Sequence, residues 1–297
     1  MSNSSQTRIV FLFGSGISLC AGMPKLHEIT ERVLSSEDIK TDKDVREFLY
    51  RLKAEIEEYY KKHKFKSDIN YEDLYYMARQ ISDSESGEYA NPAVQPLVDK
   101  IRDEIKHLLE KTDHPNELLL HDLAAQAMEH IENVVCESLN ENKELKPLDY
   151  LECIKEACED ESFSRVDIFT LNHDTVLEKY LGRYLNQNKI RFTYGFFKPE
   201  GEENRYWNPR LFNSKFFKIR LFKLHGSINW YRFRPQDAKD WGDDLFGIPS
   251  SSNRVGLQIK DAKDRMLFIY KRPMLLVGTY NKMLEYHSGI YTELHYQ

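Results

Sequence analysis

Three short groups of residues could carry chemistry, because each follows an apolar run typical of a strand. They are the glycine loop GSGISLCAGMP (14–24), the polar group TLNHD (170–174) and the group KLHGS (223–227). Glycines between a strand and a helix let backbone N–H groups approach a phosphate, and an imidazole can take up a proton near neutral pH. Ligands bind at the carboxyl ends of strands in an open parallel sheet, so the three groups could form one site.

Each group also has a plainer explanation. A dinucleotide fingerprint of the usual kind requires glycine where this chain has Leu19, so the loop could be an ordinary tight turn. Asn172 or Asp174 could cap the helix that follows, since both are favoured N-cap residues. His225 precedes a glycine at the end of a strand-like run, but a lone histidine is more often structural than catalytic. The functional interpretation therefore depends on whether the three groups lie close together in the folded chain.

The elements that must position these groups alternate between strands and helices. Arg8–Phe13 is predicted to be a buried strand, and further strand-like runs occupy 166–171, 190–194, 217–225, 266–270 and 274–278. Between about 42 and 160 the periodicity is helical, and its first apolar stripe comprises Val45, Phe48, Leu49, Leu52, Ile56 and Tyr59. The pattern predicts an α/β fold with a Rossmann-like, mostly parallel sheet covered on both faces and a large helical insertion.

The same pattern predicts the domain organisation. Residues 1–7 are expected to be a disordered tail, 8–34 and 162–297 a Rossmann-like ligand-binding domain, and 35–161 a helical insertion subdomain. An insertion with several amphipathic helices has more than one face to bury, which makes it the expected subunit interface of a homo-oligomer.

Composition excludes several classes of protein. The 42 basic and 48 acidic residues are interspersed and leave a net charge of −6, so direct binding to nucleic acid is not expected, although a local patch could form in the fold. The chain has neither a long apolar run nor a secretory signal, which predicts a cytoplasmic protein without a membrane span. Its four cysteines (Cys20, Cys136, Cys153 and Cys158) form no C-x-x-C pair, so no zinc is expected.

In order and spacing, the three groups resemble the sirtuin (SIR2-like) family, whose pattern is GAGxSxxxGxP, then TxNxD, then HG. The resemblance covers about 8–34 and 166–230, with weaker similarity through RPMLLVGTYNK (272–282). The helical insertion and its segment NYEDLYYM (70–77) are similar to the bacterial SIR2-like branch found in antiphage defence proteins.

The resemblance implies a sirtuin-type fold and a set of site residues. Asn172 and His225 would be the catalytic pair, and Asp174 would support the ribose side of NAD. The NAD pocket would be lined by Gly14, Ser15, Gly16, Ser18, Gly22 and Pro24. The implied activity is hydrolysis of NAD to nicotinamide and ADP-ribose by an effector of antiphage defence. Proteins of that branch work as homo-oligomers, sometimes with a partner ATPase or helicase.

Two departures from the family pattern bear on the activity. Deacylating sirtuins follow the glycine loop with Asp-Phe-Arg, where this chain has Lys25, Leu26 and His27, and they carry a four-cysteine zinc module after the HG motif. No cysteine follows Cys158 here, which favours NAD hydrolysis over the alternative of NAD-dependent protein deacylation.

The late glycine-rich segment that contacts the adenosine half of NAD in the family also has no counterpart, so the chain is expected to be a fragment or to complete the site otherwise. A third alternative is a non-catalytic assembly module that senses NAD or ADP-ribose.

Overall fold

The computed structural model describes residues 7–35, 43–65, 68–87, 92–109, 120–140, 145–188, 190–278 and 289–295. They divide into two compact units. The first unit takes in the described parts of Met1–Met23, Leu139–Leu276 and Met283–Gln297, and the second those of Pro24–Ser138 and Val277–Lys282. Every candidate site residue except Pro24 lies in the first unit.

The described residues form both strands and helices. The strands are, in chain order, β1 (Thr7–Phe13), β2 (Phe163–Thr170), β3 (Phe192–Thr193), β4 (Phe196–Phe197), β5 (Arg205–Trp207), β6 (Ile219–Lys223), β7 (Gly226–Pro235), β8 (Leu245–Ile248), β9 (Gln258–Lys260) and β10 (Met266–Leu275). The helices are α1 (Gly16–Cys20), α2 (Leu26–Ser35), α3 (Lys43–His63), α4 (Tyr71–Ser86), α5 (Gln95–Glu104), α6 (Lys106–Leu109), α7 (Leu120–Asn140), α8 (Glu152–Glu159), α9 (Val176–Asn188), α10 (Arg210–Asn213) and α11 (Gly289–His295). Short 3₁₀ helices occupy Asp149–Leu151, Trp241–Asp243 and Ser252–Arg254. The predicted mixed α/β class is confirmed.

A four-stranded parallel sheet, in the order β1–β2–β6–β3, organises the first unit. Helices α8 and α9 cover one face, where Ile154 and Leu181 pack on Val166, Ile168 and Leu221. On the other face the rings of Phe169 and Phe222 stack with centroids 4.6 Å apart. This sheet aligns the ends of β1, β2 and β6, where the three candidate groups begin.

The first strand differs from its prediction. β1 has β2 as its single neighbour among the described strands, so it is an edge strand rather than a buried one. Val10 and Leu12 are 60% and 70% exposed, whereas Phe11 and Phe13 pack against the core. A continuous apolar run indicates burial on both faces, but here alternate side chains have different surroundings because the second face of this edge is not covered by described residues.

The remaining strands do not extend the parallel sheet. They form a six-stranded antiparallel sheet in the order β4–β5–β8–β7–β10–β9, so the predicted mostly parallel arrangement is wrong for this part of the chain. The runs at 266–270 and 274–278 contribute to one strand, β10, which pairs antiparallel with β7. Parallel pairing requires a crossover of about a dozen residues or more, and the segments that join β7, β8, β9 and β10 are shorter.

The second unit is helical in its described residues and contains α2 to α6 with nearly all of α7. The predicted stripe of α3 is buried from Val45 to Ile56, but Tyr59, which continues it, is 55% exposed. Helix α4 begins with a capping box in which Asn70 accepts from Glu72 and its own N–H donates to Asp73. No described helix is long and apolar enough to cross a membrane.

Candidate functional site

The glycine loop and the end of β2 are joined through the side chain of Asn172. Its Nδ2 donates to the carbonyl oxygen of Gly14 at 3.0 Å and to Oγ of Ser18 at 2.8 Å. A carbonyl can only accept a hydrogen bond, so the contact with Gly14 fixes which end of the amide is the nitrogen. Both Nδ2 protons are then in use, and Oδ1 is the group of this side chain left to accept from a ligand.

The backbone of Asn172 is also held in place. Its N–H donates to Oγ1 of Thr170 at 3.1 Å, and the residue is 9% exposed. Leu171 N–H donates to the carbonyl of Phe13, the last residue of β1, at 3.1 Å, which continues the pairing of β1 with β2 one residue past the end of β2. Asn172 is therefore an oriented side chain rather than a free one, as a binding or catalytic amide must be.

The fold requires glycine at one of the three positions of the loop and not at the other two. Gly22 has φ +95°, a conformation that favours glycine, and a Cβ there would lie 3.5 Å from the side chain of Lys146. Gly14 and Gly16 have no positive φ, and a Cβ on either would meet no atom within 4 Å. The fold itself thus explains the glycine at 22 but not those at 14 and 16, whose outer side is open space.

The other predicted residues of the loop are placed differently from one another. Ser15 is exposed, and its carbonyl accepts from the N–H groups of Ser18 and Leu19 at 3.0 and 3.1 Å as α1 begins. Ser18 is 4% exposed, with its hydroxyl directed to Asn172. Pro24 is half-buried and belongs to the second unit. The site thus includes Ser18 through a direct contact with Asn172, whereas Ser15 is an exposed residue of the loop.

His225 stands at the end of β6, next to the other two groups. The preceding N–H, of Leu224, donates to the carbonyl of Thr170 at 2.9 Å, and the imidazole ring of His225 lies 6.1 Å from that of His173. Leu276 N–H donates to the carbonyl of His225 at 3.0 Å, which fixes its backbone. The His225 side chain remains half-buried. The structure therefore brings all three sequence groups together.

Backbone conformation and packing both require the glycine of the HG motif. Gly226 has φ +80°, and a Cβ there would lie 2.1 Å from the carbonyl oxygen of Met274. The strands β7 and β10 approach each other closely at this position, where Gly226 pairs with Leu275. A larger residue would push the start of β7 away from β10 and move His225 with it.

Asp174 performs the plainer of its two predicted roles. Its Oδ1 accepts from the N–H of Val176, the first residue of α9, at 2.9 Å, which is a helix cap. Asp174 is buried at 6% exposure, so the carboxylate is held close to the loop that carries Asn172. Capping therefore accounts for Asp174, whereas the side chain of Asn172 faces the glycine loop and does not cap.

Lys223 is a site residue that sequence reasoning missed. It is 1% exposed, and its Nζ donates to Oε1 of Glu178 at 2.8 Å and to Oγ of Ser227 at 2.7 Å. The same ammonium contacts the carbonyl oxygens of His173, at 3.4 Å, and Asp174. One buried cation thereby ties the end of β6 to the loop after β2, to α9 and to β7.

A signal for this role was present in the sequence. Lys223 lies between Phe222 and Leu224 in a strand-like run, and a lysine that is buried there requires a partner of opposite charge and further acceptors. The partner, Glu178, follows the TLNHD group by one turn of α9. A search for a carboxylate near that group would have connected the second and third motifs.

The segment before α8 lies against the glycine loop, which no sequence pattern indicated. Lys146 N–H donates to the carbonyl of Ala21 at 3.0 Å, and Tyr150 donates from its hydroxyl to the carbonyl of Ile17 at 2.5 Å. Partial burial raises the pKa of Tyr150, and the nearby carboxylate of Asp174 raises it further. Tyr150 thus stays a neutral hydrogen-bond donor that anchors α1.

Two depressions in the surface are lined by residues outside the three candidate groups. One of about 420 Å³ is bounded by residues that include Glu202, Arg254 and Asp261, and one of about 560 Å³ follows α3 at Lys43, Arg46 and Tyr50. In the described ranges no group of three or more His, Cys, Asp or Glu side chains is arranged to hold a metal. At the candidate groups, residues 14–16 are exposed, whereas Ser18 and Asn172 beside them are buried.

No protein-family model matches this chain, and no curated protein matches its sequence. The chemistry open to the site is therefore defined by its own groups. They are the oriented amide oxygen of Asn172, the half-buried imidazole of His225, and a glycine loop with open space beside it. This set can accept hydrogen bonds from hydroxyl groups, take up a proton and admit a phosphate close to the backbone.

Proposed function

We propose that this chain binds NAD at the glycine loop and hydrolyses it to nicotinamide and ADP-ribose, as its resemblance to SIR2-like proteins implies. The observation that carries the proposal is the pair of hydrogen bonds from Asn172 Nδ2 to Gly14 and Ser18. They fix the amide of Asn172 within the group of loops that also holds His225. A Rossmann-like arrangement of the parallel sheet belongs to the same proposal.

The open glycines support the binding of phosphates. Since neither φ nor packing requires glycine at 14 and 16, close approach of a ligand to the backbone is the remaining physical reason for those residues. Gly16 is the first residue of α1, and the carbonyl of Ser15 already accepts from the N–H groups of Ser18 and Leu19, so the N–H groups that could serve a ligand are those of Ser15 and Gly16. The pyrophosphate of NAD would accept from such N–H groups.

The reaction requires little beyond an oriented acceptor and a base. The bond between the nicotinamide nitrogen and C1′ of the ribose breaks, and its electron pair leaves with nicotinamide. Positive charge develops on the ribose, which is stabilised when its hydroxyl groups are positioned by an acceptor such as Asn172 Oδ1. The oxygen of water bonds to C1′, and His225 accepts the proton released from that water.

The biological setting is proposed from the resemblance. The order of the three motifs and the segment NYEDLYYM favour an effector of bacterial antiphage defence. Such an effector would act as a homo-oligomer in the cytoplasm, with a partner ATPase or helicase in some systems.

The test is NAD turnover by the full-length protein, followed by chromatography of nicotinamide and ADP-ribose. Asn172→Ala and His225→Ala are each expected to abolish NAD loss, while two controls with exposed side chains, Asn253→Ala and His107→Ala, retain it. Undiminished turnover in both site variants would refute the proposal. Binding of ADP-ribose by a protein that never consumes NAD would instead identify a sensing module.

A further inference from the structure

A basic and aromatic cluster closes helix α3. We name it the α3-end cluster and define it as Tyr59, Tyr60, Lys61, Lys62, His63, Lys64 and Phe65. It lies in the second unit and takes no part in the candidate site. The net charge of the chain disfavours polyanions in general, but this cluster concentrates three lysines and a histidine in four consecutive positions.

The aromatic side chains of the cluster are exposed and lie against each other. Tyr59 and Phe65 are 55% and 56% exposed, among the most exposed aromatic side chains described. The ring of Tyr59 lies 4.4 Å from that of His63 and 6.1 Å from that of Phe65, to which it is nearly parallel. The rings therefore form a small platform with its outer faces open to solvent.

Helix capping explains part of this arrangement. Phe65 N–H donates to the carbonyl of Tyr60 at 2.9 Å, and their rings lie 5.4 Å apart, as in a Schellman motif with its apolar contact. This motif places Lys64 at φ 58°, in the left-handed region where glycine is favoured. Capping accounts for the contact of Phe65 with Tyr60, but it explains neither exposed Tyr59 nor a lysine at the position that suits glycine.

The lysines of the cluster are not neutralised locally. Within the described residues, Lys61, Lys62 and Lys64 have no carboxylate within 4.0 Å. The acidic residues of the preceding turn are engaged elsewhere, since Glu57 pairs with Lys53 at 2.5 Å and Glu58 with Lys100 at 3.1 Å. Among the described residues, the lysines next to the platform therefore keep their positive charge without a paired carboxylate.

We propose that the α3-end cluster binds single-stranded nucleic acid. Unpaired bases stack on exposed aromatic rings whatever their sequence, and lysines beside the rings contact the phosphates between the bases. The bases of a duplex are already stacked and cannot use the platform. An anionic membrane fits less well, because a helix on a membrane surface presents an apolar face along its length, whereas the apolar stripe of α3 from Val45 to Ile56 is buried.

The first experiment measures binding of the full chain to a labelled ten-nucleotide oligothymidylate by fluorescence anisotropy. An abasic oligomer of the same length, a duplex of the same sequence and phosphatidylserine vesicles serve as alternative ligands. We expect the abasic oligomer and the duplex to bind at least about tenfold more weakly, since each lacks accessible bases. With about three phosphates engaged, log K should fall against log salt with a slope of about −2.

Variants separate the contributions of rings and charges. Tyr59→Leu with Phe65→Leu keeps an apolar contact at the helix end but removes the platform, and is expected to weaken oligothymidylate about tenfold or more while leaving the abasic oligomer unchanged. Lys61→Gln with Lys62→Gln should weaken both ligands and reduce the salt slope. The matched control, Lys215→Gln with Lys239→Gln, removes two exposed lysines elsewhere and should change neither.

Lys64→Gly distinguishes binding from capping. Glycine suits a positive φ, so this variant should unfold at a higher temperature than the parent chain and yet bind oligothymidylate about two- to threefold more weakly. Equal affinity for the abasic and thymidine oligomers would overturn the proposal. So would unchanged binding in the leucine double variant, stronger binding to vesicles than to oligothymidylate, or no binding at all.

Discussion

Nζ of Lys223 lies 2.8 Å from Oε1 of Glu178, and the lysine is 1% exposed. The pair joins β6, which ends two residues before His225, to α9, the helix that follows Asn172. Because the ammonium also contacts two backbone carbonyls of the TLNHD loop, it holds the two proposed catalytic residues in one rigid group. Several expectations about stability and activity depend on this and related contacts.

Lys223→Met is expected to destabilise the protein strongly. It would leave Glu178 and the two carbonyl groups buried without their donor, and breaking a buried pair costs about 3–5 kcal/mol. Adding Glu178→Met should recover part of that loss, since the unpaired carboxylate is then removed. Urea unfolding measures both. Lys155→Met, which breaks an exposed pair with Glu152, is the control and should cost about 1 kcal/mol or less; an equal loss there would contradict this account.

The glycines of the loop should respond to alanine in opposite ways. Gly14→Ala and Gly16→Ala meet no atoms and need no positive φ, so the free energy of unfolding should stay constant or rise by about 0.4–1 kcal/mol. NAD affinity, measured by calorimetry, should nevertheless fall about tenfold or more, because a methyl group blocks the approach of phosphate to the backbone. Gly22→Ala, at φ +95°, should lower stability instead. Undisturbed NAD binding in both alanine variants would exclude the loop as the phosphate site.

Asn172→Asp tests the orientation of the amide. A carboxylate cannot donate to the Gly14 carbonyl 3.0 Å away, so the loop loses a buried hydrogen bond and gains a repulsive contact. We expect a loss of about 1–3 kcal/mol in unfolding free energy at neutral pH. The loss should shrink in mildly acidic solution, where a protonated carboxyl can donate again. Equal losses at about pH 7 and pH 4.5 in urea titrations would show that Asn172 does not act as this donor.

The four thiols should divide into two classes of reactivity. Cys20 and Cys153 are exposed, whereas burial raises the pKa of Cys136 and of Cys158 to about 12 and so disfavours the reactive thiolate. A thiol reagent at about pH 8 should therefore modify two cysteines quickly and the other two after unfolding. Cys20 lies four residues after Gly16 on the same face of α1, so bound NAD should slow its alkylation but not that of Cys153. Peptide mapping by mass spectrometry would report each site.

The raised pKa values of Cys136 and Cys158 predict how the free energy of unfolding changes at alkaline pH. Their pKa values are higher in the folded chain than the ordinary value of 9.0, so the folded state keeps protons that the unfolded state releases. This contribution to stability is complete below about pH 9 and is lost as the pH rises from about 9 towards 12. Urea unfolding under reducing conditions should show the decline, and Cys158→Ala should make it shallower.

Much of the candidate site could be predicted from local sequence patterns. Apolar runs followed by polar groups identified the ends of β1, β2 and β6, because strand formation and its termination depend on neighbouring residues. Hydrophobic spacing likewise identified α3, whose stripe is buried from Val45 to Ile56. The same patterns could not separate the two predicted uses of Asn172 and Asp174, since capping and ligand binding favour the same residue types at the same place.

The sequence alone determined the approximate positions of β1, β2, β6 and α3 and of the polar groups that follow the three strands, but it did not indicate β4, β5, β8 or β9. The tertiary structure decided which elements are partners: β1 is an edge strand, β4, β5 and β7 to β10 form a separate antiparallel sheet, and Lys223 joins the loops of Asn172 and His225. Local conformation follows from residues within a few positions of each other. Pairing, burial and the neutralisation of a buried charge depend on residues far apart in the chain, and only folding brings these into contact.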